Sequence, residues 1–129
     1  MIVPGDKMNL TVKNELVRNL DGKIKFWQAS KAAREHYQIA VWVEGPDTEL
    51  DSIEQVEYIL HPTFKRSVLL ARFRANKFRI TFWTWGLFTI RVRIYFKTGE
   101  KQEIDYFLTY ELPPDDGTNY QLVVSTSAS

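Results

Sequence analysis

From Phe88 to Phe96 the chain alternates without a break. Phe88, Ile90, Val92, Ile94 and Phe96 hold the even positions, with Thr89, Arg91, Arg93 and Tyr95 between them. Successive side chains of a strand point to opposite faces, so this period of two gathers the apolar residues on one face and the arginines on the other. A helix would scatter the same residues around its circumference. The run therefore specifies a half-buried strand with its even face inside, and a slip of one residue would invert it. Lys97-Thr98-Gly99-Glu100 follows as a hairpin loop, after which Ile104, Tyr106 and Leu108 resume the alternation.

Weaker copies of the pattern fill most of the chain. Leu10, Val12, Leu16 and Leu20 fall on even positions, Ile39, Val41 and Val43 alternate with Ala40, Trp42 and Glu44, and Val56, Tyr58 and Leu60 alternate with Glu57, Ile59 and His61. Asp21-Gly22 is a second hairpin signal and Gly45-Pro46-Asp47 a third break. Gln28 to Glu35, with Ala29, Ala32 and Ala33, is the one candidate helix, short and without an apolar face. After the polar turn Pro113 to Gly117, Tyr120 to Val124 reads as a last strand. Short strands closely punctuated by turns predict an all-β, antiparallel β-sandwich. No repeat or linker divides it, so residues 1–124 are expected to form one domain, with 125–129 a flexible tail.

Composition narrows the function classes. A chain of 129 residues with 44% hydrophobic residues can bury a core without staples. A net charge of +1 gives no whole-molecule attraction to nucleic acid or anionic membrane. The absence of cysteine removes disulfides, thiolate metal sites and a cysteine nucleophile. No apolar run approaches the roughly 18 residues of a spanning helix, and Met1 to Lys7 lacks the apolar core of a secretory signal. The expectation is a soluble intracellular protein, cytoplasmic if bacterial and nuclear if eukaryotic. Catalysis has little support. His36 and His61 form no ligand pair, no Gly-x-Ser-x-Gly or phosphate-binding loop occurs, and Glu103 and Asp105 read as a solvated strand face. No cofactor or metal is expected, and no enzyme.

Two motifs carry the functional reading. One is Leu50-Asp51-Ser52-Ile53-Glu54-Gln55-Val56-Glu57-Tyr58-Ile59-Leu60-His61-Pro62-Thr63-Phe64, and the other is Trp83-Thr84-Trp85-Gly86-Leu87-Phe88. Each puts small polar groups beside large rings at the end of a predicted strand. Such groups can grip a flat, amide-bearing ligand between π-faces. The pattern Val56-x-Tyr58-x-Leu60-His61-Pro62-Thr63-Phe64, with Phe78, Trp85-Gly86-x-Phe88 and the alternating strand, resembles the YEATS domain family over about Gln38 to Leu112. Leu50-Asp51-x-Ile53-x-x-Val56 and Trp83-x-Trp85-Gly86 are most similar to its prokaryotic branch.

The resemblance implies an immunoglobulin-like sandwich that reads acetylated or crotonylated lysine. By that implication Phe64 and Trp85 are opposing walls of an acyl slot, Thr63 bonds the acyl amide and His61 sets the Thr63 hydroxyl. Gly86 and nearby backbone N–H groups would complete the site. An acylated lysine has lost its charge, so a planar apolar gap and one or two hydrogen bonds suffice. Thr84 stands where the eukaryotic pattern has glycine, and a β-branched residue resists positive φ. The expectation is a reshaped loop and a narrowed or closed slot, with Phe82 and Trp83 adding ring surface.

The implied partner is an acylated-lysine peptide or protein, with the domain fused to or associated with an effector; no membrane is expected and nucleic acid is disfavoured. Two other readings fit the same residues. One is a targeting sandwich with a filled slot in a larger bacterial sensor or effector protein. The other is phosphate or nucleic-acid binding through Arg66, Arg72, Arg74, Lys77, Arg79, Arg91 and Arg93. For these cations the default is pairing with Glu44, Asp47, Glu49, Asp51, Glu54 and Glu57.

Overall fold

The computed structural model describes residues 9–123. The expected tail at 125–129 and the end of the last strand at Val124 lie outside the described residues. The alternating run is strand β7 (Thr89–Phe96). Its even face is inside: Ile90, Val92 and Ile94 are fully buried and Phe96 nearly so, while Arg91 is exposed and Arg93 half-buried.

β7 is central to a sheet with β4 (Ile53–Ile59), β5 (Val68–Ala71) and β8 (Lys101–Phe107), in the order β5-β4-β7-β8, antiparallel throughout. The second sheet is built around β3 (His36–Glu44). One edge of β3 pairs with β1 (Thr11–Leu16) and, at its start, with β2 (Ile24–Trp27); the other pairs with β6 (Ile80–Thr84). A short β9 (Tyr120–Leu122) joins β2 in parallel, the one departure from antiparallel pairing among the described residues. Facing side chains of both sheets make a continuous core: Val12, Ile39, Val41, Val43, Ile80 and Phe82 from one, Val56, Tyr58, Ala71, Ile90, Val92 and Ile94 from the other.

Register is kept by two local devices. Between Ile53 and Gln55 the β4–β7 pairing shifts, so the inward positions of β4 run Ile53 then Val56, three residues apart. An extra residue on one strand produces such a change of face. In the β7–β8 hairpin Gly99 takes φ +95, and the Phe96 N–H donates to the Glu100 carbonyl. Asp21-Gly22 also forms its expected turn, with Gly22 at φ +86, and Leu20 sits in that turn fully exposed instead of continuing the core face.

The helix falls elsewhere than expected. Gln28 to Glu35 forms turns and bends, whereas α1 (Asp47–Asp51) occupies the stretch after Gly45-Pro46. Segments this short are not stable helices by themselves, so anchorage decides. Leu50 is fully buried, and the Pro46 carbonyl accepts the N–H groups of Glu49 and Leu50. Arg74 reaches Asp47 and Asp51, each at 2.9 Å. The alanine segment has no comparable buried anchor. Among the described residues no helix is long and apolar enough to cross a membrane.

The two long sides of the sandwich differ. On one, the Asn14 side chain of β1 donates to the Thr109 carbonyl at 3.0 Å and accepts from the Tyr106 hydroxyl, drawing β1 onto β8 and the chain that follows it. On the other, β5 and β6 are both edge strands, and no described strand bridges them.

Candidate functional site

That open side widens into a cavity of about 930 Å³ at the end where the β4–β5 and β6–β7 connections meet. His61, Thr63, Phe64, Thr84, Trp85 and Gly86, the six residues singled out from sequence, all line it. Apolar walls come from Leu60, Leu69, Phe82 and Phe88, and the cavity runs around the edge of β6 to Trp83, Trp27 and His36.

The first loop leaves β4 at Leu60 and returns at Ser67, closed by the Leu60 N–H donating to the Ser67 carbonyl at 2.6 Å. Within it the Thr63 N–H donates to His61 Nδ1 at 3.2 Å, so this nitrogen is the acceptor and the ring proton is on Nε2. The Thr63 hydroxyl, 2.8 Å from the same Nδ1, must then donate to it. Among the described residues no donor occupies its lone pairs, so it can still accept. Both residues are exposed. Phe64 is half-buried and leans on two rings, Phe88 at 5.2 Å and Phe82 at 5.7 Å. Phe82 and Phe88 meet at 5.9 Å, so the wall is a three-ring unit rather than a lone phenylalanine.

Thr84, 4% exposed, ends β6 with its hydroxyl turned into the following loop. It donates to the Gly86 carbonyl at 3.1 Å and accepts the Gly86 N–H at 3.3 Å. No positive φ occurs at Thr84, so the β-branched residue that looked misplaced adopts ordinary strand backbone and pins the turn. It lines the cavity without sealing it. Gly86 lies outside the positive-φ region, and a Cβ there would meet open space. Trp85 projects from this pinned turn, 54% exposed. The guanidinium of Arg34, from the 28–35 segment, lies 4.0 Å over its ring. Such a stack contributes about 0.5–1 kcal/mol at an exposed position and holds the indole in place.

Sequence reasoning did not find Arg34, Leu69 or Trp27. None carries a local signal, because each reaches the site from another strand or loop. Elsewhere the cations are largely neutralised. Lys77 pairs with Glu44 at 2.8 Å, Arg93 with Glu57 and Glu103, Arg91 with Asp105, and Arg74 with the two aspartates of α1. The default pairing thus holds for Arg74, Lys77 and Arg93, whereas Arg91 and Arg79 meet Asp105 and Glu15 instead, and Arg66 and Arg72 make no ion pair among the described residues. Among the described residues no group of three His, Asp or Glu is placed to hold a metal ion.

The model of the prokaryotic YEATS domain family matches residues 37–109, more than half of the chain and both site loops. The chain belongs to the prokaryotic YEATS domain family. Solved YEATS structures share the fold at low identity. The Yaf9 YEATS domain bound to H3K27ac is 20% identical, covering 84% of this chain and 78% of that one, with a TM-score of 0.53. Yeast Yaf9, described as an AF-9 homologue, is 20% identical over 80% of this chain and 66% of its own, with a TM-score of 0.55. The Yaf9 YEATS domain recognising an H3K122suc peptide is 19% identical over 80% and 76%, with a TM-score of 0.51. No curated protein matches the sequence. The YEATS assignment accounts for β3 to β8, whereas β1, β2 and β9 lie outside the matched segment.

Proposed function

We propose that this YEATS domain is a binding module that takes an acylated lysine of a partner protein into the cavity between its β4–β5 and β6–β7 loops. One observation carries the reading: two motif loops far apart in sequence meet at an open cavity with an exposed indole and an acceptor hydroxyl at its mouth. The acyl amide N–H bonds a lone pair of the Thr63 hydroxyl. The acyl carbonyl takes its donor from the loop backbone at Trp85 or Leu87 or from His61 Nε2–H, since the Gly86 N–H is committed to Thr84. Phe64, backed by Phe82 and Phe88, and Trp85, backed by Arg34, are the apolar surfaces for the acyl plane. The Yaf9 YEATS domains with H3K27ac and H3K122suc support the same ligand class.

The module binds and does not catalyse. His61 and Thr63 resemble a base and nucleophile, but the hydroxyl approaches the same nitrogen that the Thr63 backbone occupies, and no described carboxylate orients the ring from Nε2. The phosphate or nucleic-acid reading through the arginine face loses ground because most of those arginines already face carboxylates. In its cell, cytoplasmic if bacterial and nuclear if eukaryotic, the module directs an associated effector or sensor to its partners.

Titration of acetyl-, crotonyl- and unmodified-lysine peptides tests this. Acylated peptides should bind in the micromolar range, about −8 kcal/mol or weaker. Crotonyl should do at least as well as acetyl, because its conjugated plane offers more area to the rings. Trp85→Ala should abolish binding. Thr63→Ala should cost about 1–3 kcal/mol by leaving the acyl amide unpaired. An equal or absent response to all three peptides would sink the reading.

A further inference from the structure

We infer that the mouth of this cavity selects an acylated lysine carried in an acidic sequence, and disfavours one flanked by lysine or arginine. The inference rests on the acyl-lysine reading and adds the chemistry of the surrounding peptide. Among the described residues no aspartate or glutamate lines the cavity. Lys65 and Arg66 do line it, immediately after the Phe64 wall, and both are exposed. Neither makes an ion pair among the described residues, in contrast to Arg74, Lys77, Arg79, Arg91 and Arg93. A third cation, Arg34, stacks on the opposite loop's Trp85 and also has no carboxylate partner among the described residues.

Arg74 beside α1, and Arg91 and Arg93 on the outer face of the β5-β4-β7-β8 sheet, are neutralised within the domain. Lys13, Arg72 and Lys97 also make no ion pair among the described residues, but they do not line the cavity. Lys65 and Arg66 stand at its mouth and keep their charge for whatever docks there. A peptide residue one or two places from the acylated lysine stands within about 7 Å of it along an extended chain. That is inside the screening length of about 10 Å at 0.1 M salt, so flanking charges and the rim interact directly. Acidic flanks are attracted, and basic flanks meet like charges with no described acidic residue at the cavity to offset them.

The test uses four peptides read by fluorescence anisotropy. Three carry crotonyl-lysine flanked by glutamates, by Gly/Ser or by lysines; the fourth is the glutamate-flanked peptide with unmodified lysine. At about 50 mM salt the glutamate-flanked acylated peptide should bind roughly tenfold tighter than the lysine-flanked one, and at about 500 mM the gap should shrink to about twofold or less. Lys65→Glu with Arg66→Glu should reverse the order without moving the melting temperature. Lys13→Glu with Lys97→Glu, away from the cavity, should leave the order unchanged.

Equal affinity for all three acylated peptides at low salt would overturn the charge inference and leave the reader reading standing. Binding of both acidic peptides alike, lost in the rim variant, would keep the acidic partner and overturn the acyl-lysine reading. Tighter, rim-dependent binding of a single-stranded oligonucleotide would overturn the inference in favour of nucleic acid. No binding of any probe would overturn both.

Discussion

At the scale of single residues, Thr84 and Tyr58 show how buried hydroxyls shape this domain. Thr84 bonds both polar groups of the Gly86 backbone, so it sets the direction in which Trp85 leaves β6. Thr84→Val keeps the shape and removes both bonds, and should destabilise by about 1–3 kcal/mol in urea denaturation. Thr84→Ser should restore most of that. Thr84→Gly should loosen the loop as well as lower stability, instead of opening a blocked slot. Gly86→Ala should fold as the wild type, because a methyl there enters open space. Tyr58 is fully buried and donates to the Phe78 carbonyl at 2.7 Å. Tyr58→Phe strands that carbonyl, with an expected loss of about 1–3 kcal/mol. Nothing local announces either role. Thr84 reads in sequence as a misfit, and the Tyr58 partner lies twenty residues on.

At the scale of elements, β6 is the strand on which the site depends, and its start is strained. Lys77 and Phe78 both have φ 59, a region that non-glycine residues adopt at a cost of about 1–2 kcal/mol each. The surroundings hold them there. The Phe78 N–H donates to Phe73, the Lys77 carbonyl accepts from Val43, and the Phe78 ring is fully buried. Phe78→Ala removes the packing that offsets the strain, and should cost about 3–5 kcal/mol by denaturant titration. Acyl-peptide affinity should fall with it as β6 loosens. The outer face of β7 is the contrasting case. Arg91 and Arg93 lie opposite Asp105 and Glu103 because the hairpin register brings them there. The period of two identified which face these arginines occupy, while the pairing of strands decided which carboxylates they meet.

At the scale of the whole molecule, tyrosines govern the response to alkali. Burial holds the Tyr58 hydroxyl well above its ordinary value near 10. Burial, with Glu35 adding to it, pushes Tyr37 up to about 12. Burial also raises Tyr106, Tyr110 and Tyr120. Above pH 10 the unfolded chain releases these protons first, so it binds fewer than the folded one and stability falls as pH rises. The contribution is fully present below pH 10 and is lost as pH rises through the folded values, about 12 for Tyr37. Denaturant midpoints measured from pH 8 to 12 should be level and then drop. Tyr37→Phe and Tyr58→Phe should each flatten the fall; an unchanged slope in both variants would contradict these shifts.

The sequence by itself determined the sandwich, the inward face of β7 and the two glycine hairpins. These follow from interactions a few residues long: alternation across a strand and positive φ at glycine. The six residues that line the cavity were singled out by the resemblance of two short motifs to the YEATS family, which spacing alone does not supply. Only the tertiary structure decided the rest. The helix forms at α1 because a buried Leu50 and a distant Arg74 hold it. β9 runs parallel to β2, a placement that a three-residue strand cannot specify alone. The cavity opens because β5 and β6 end up as edges with no described strand between them. Most of all, packing decided which arginines meet a carboxylate and which stay free beside Trp85 and Phe64. Charge pairing depends on which strands become neighbours, and a linear sequence does not carry that information locally.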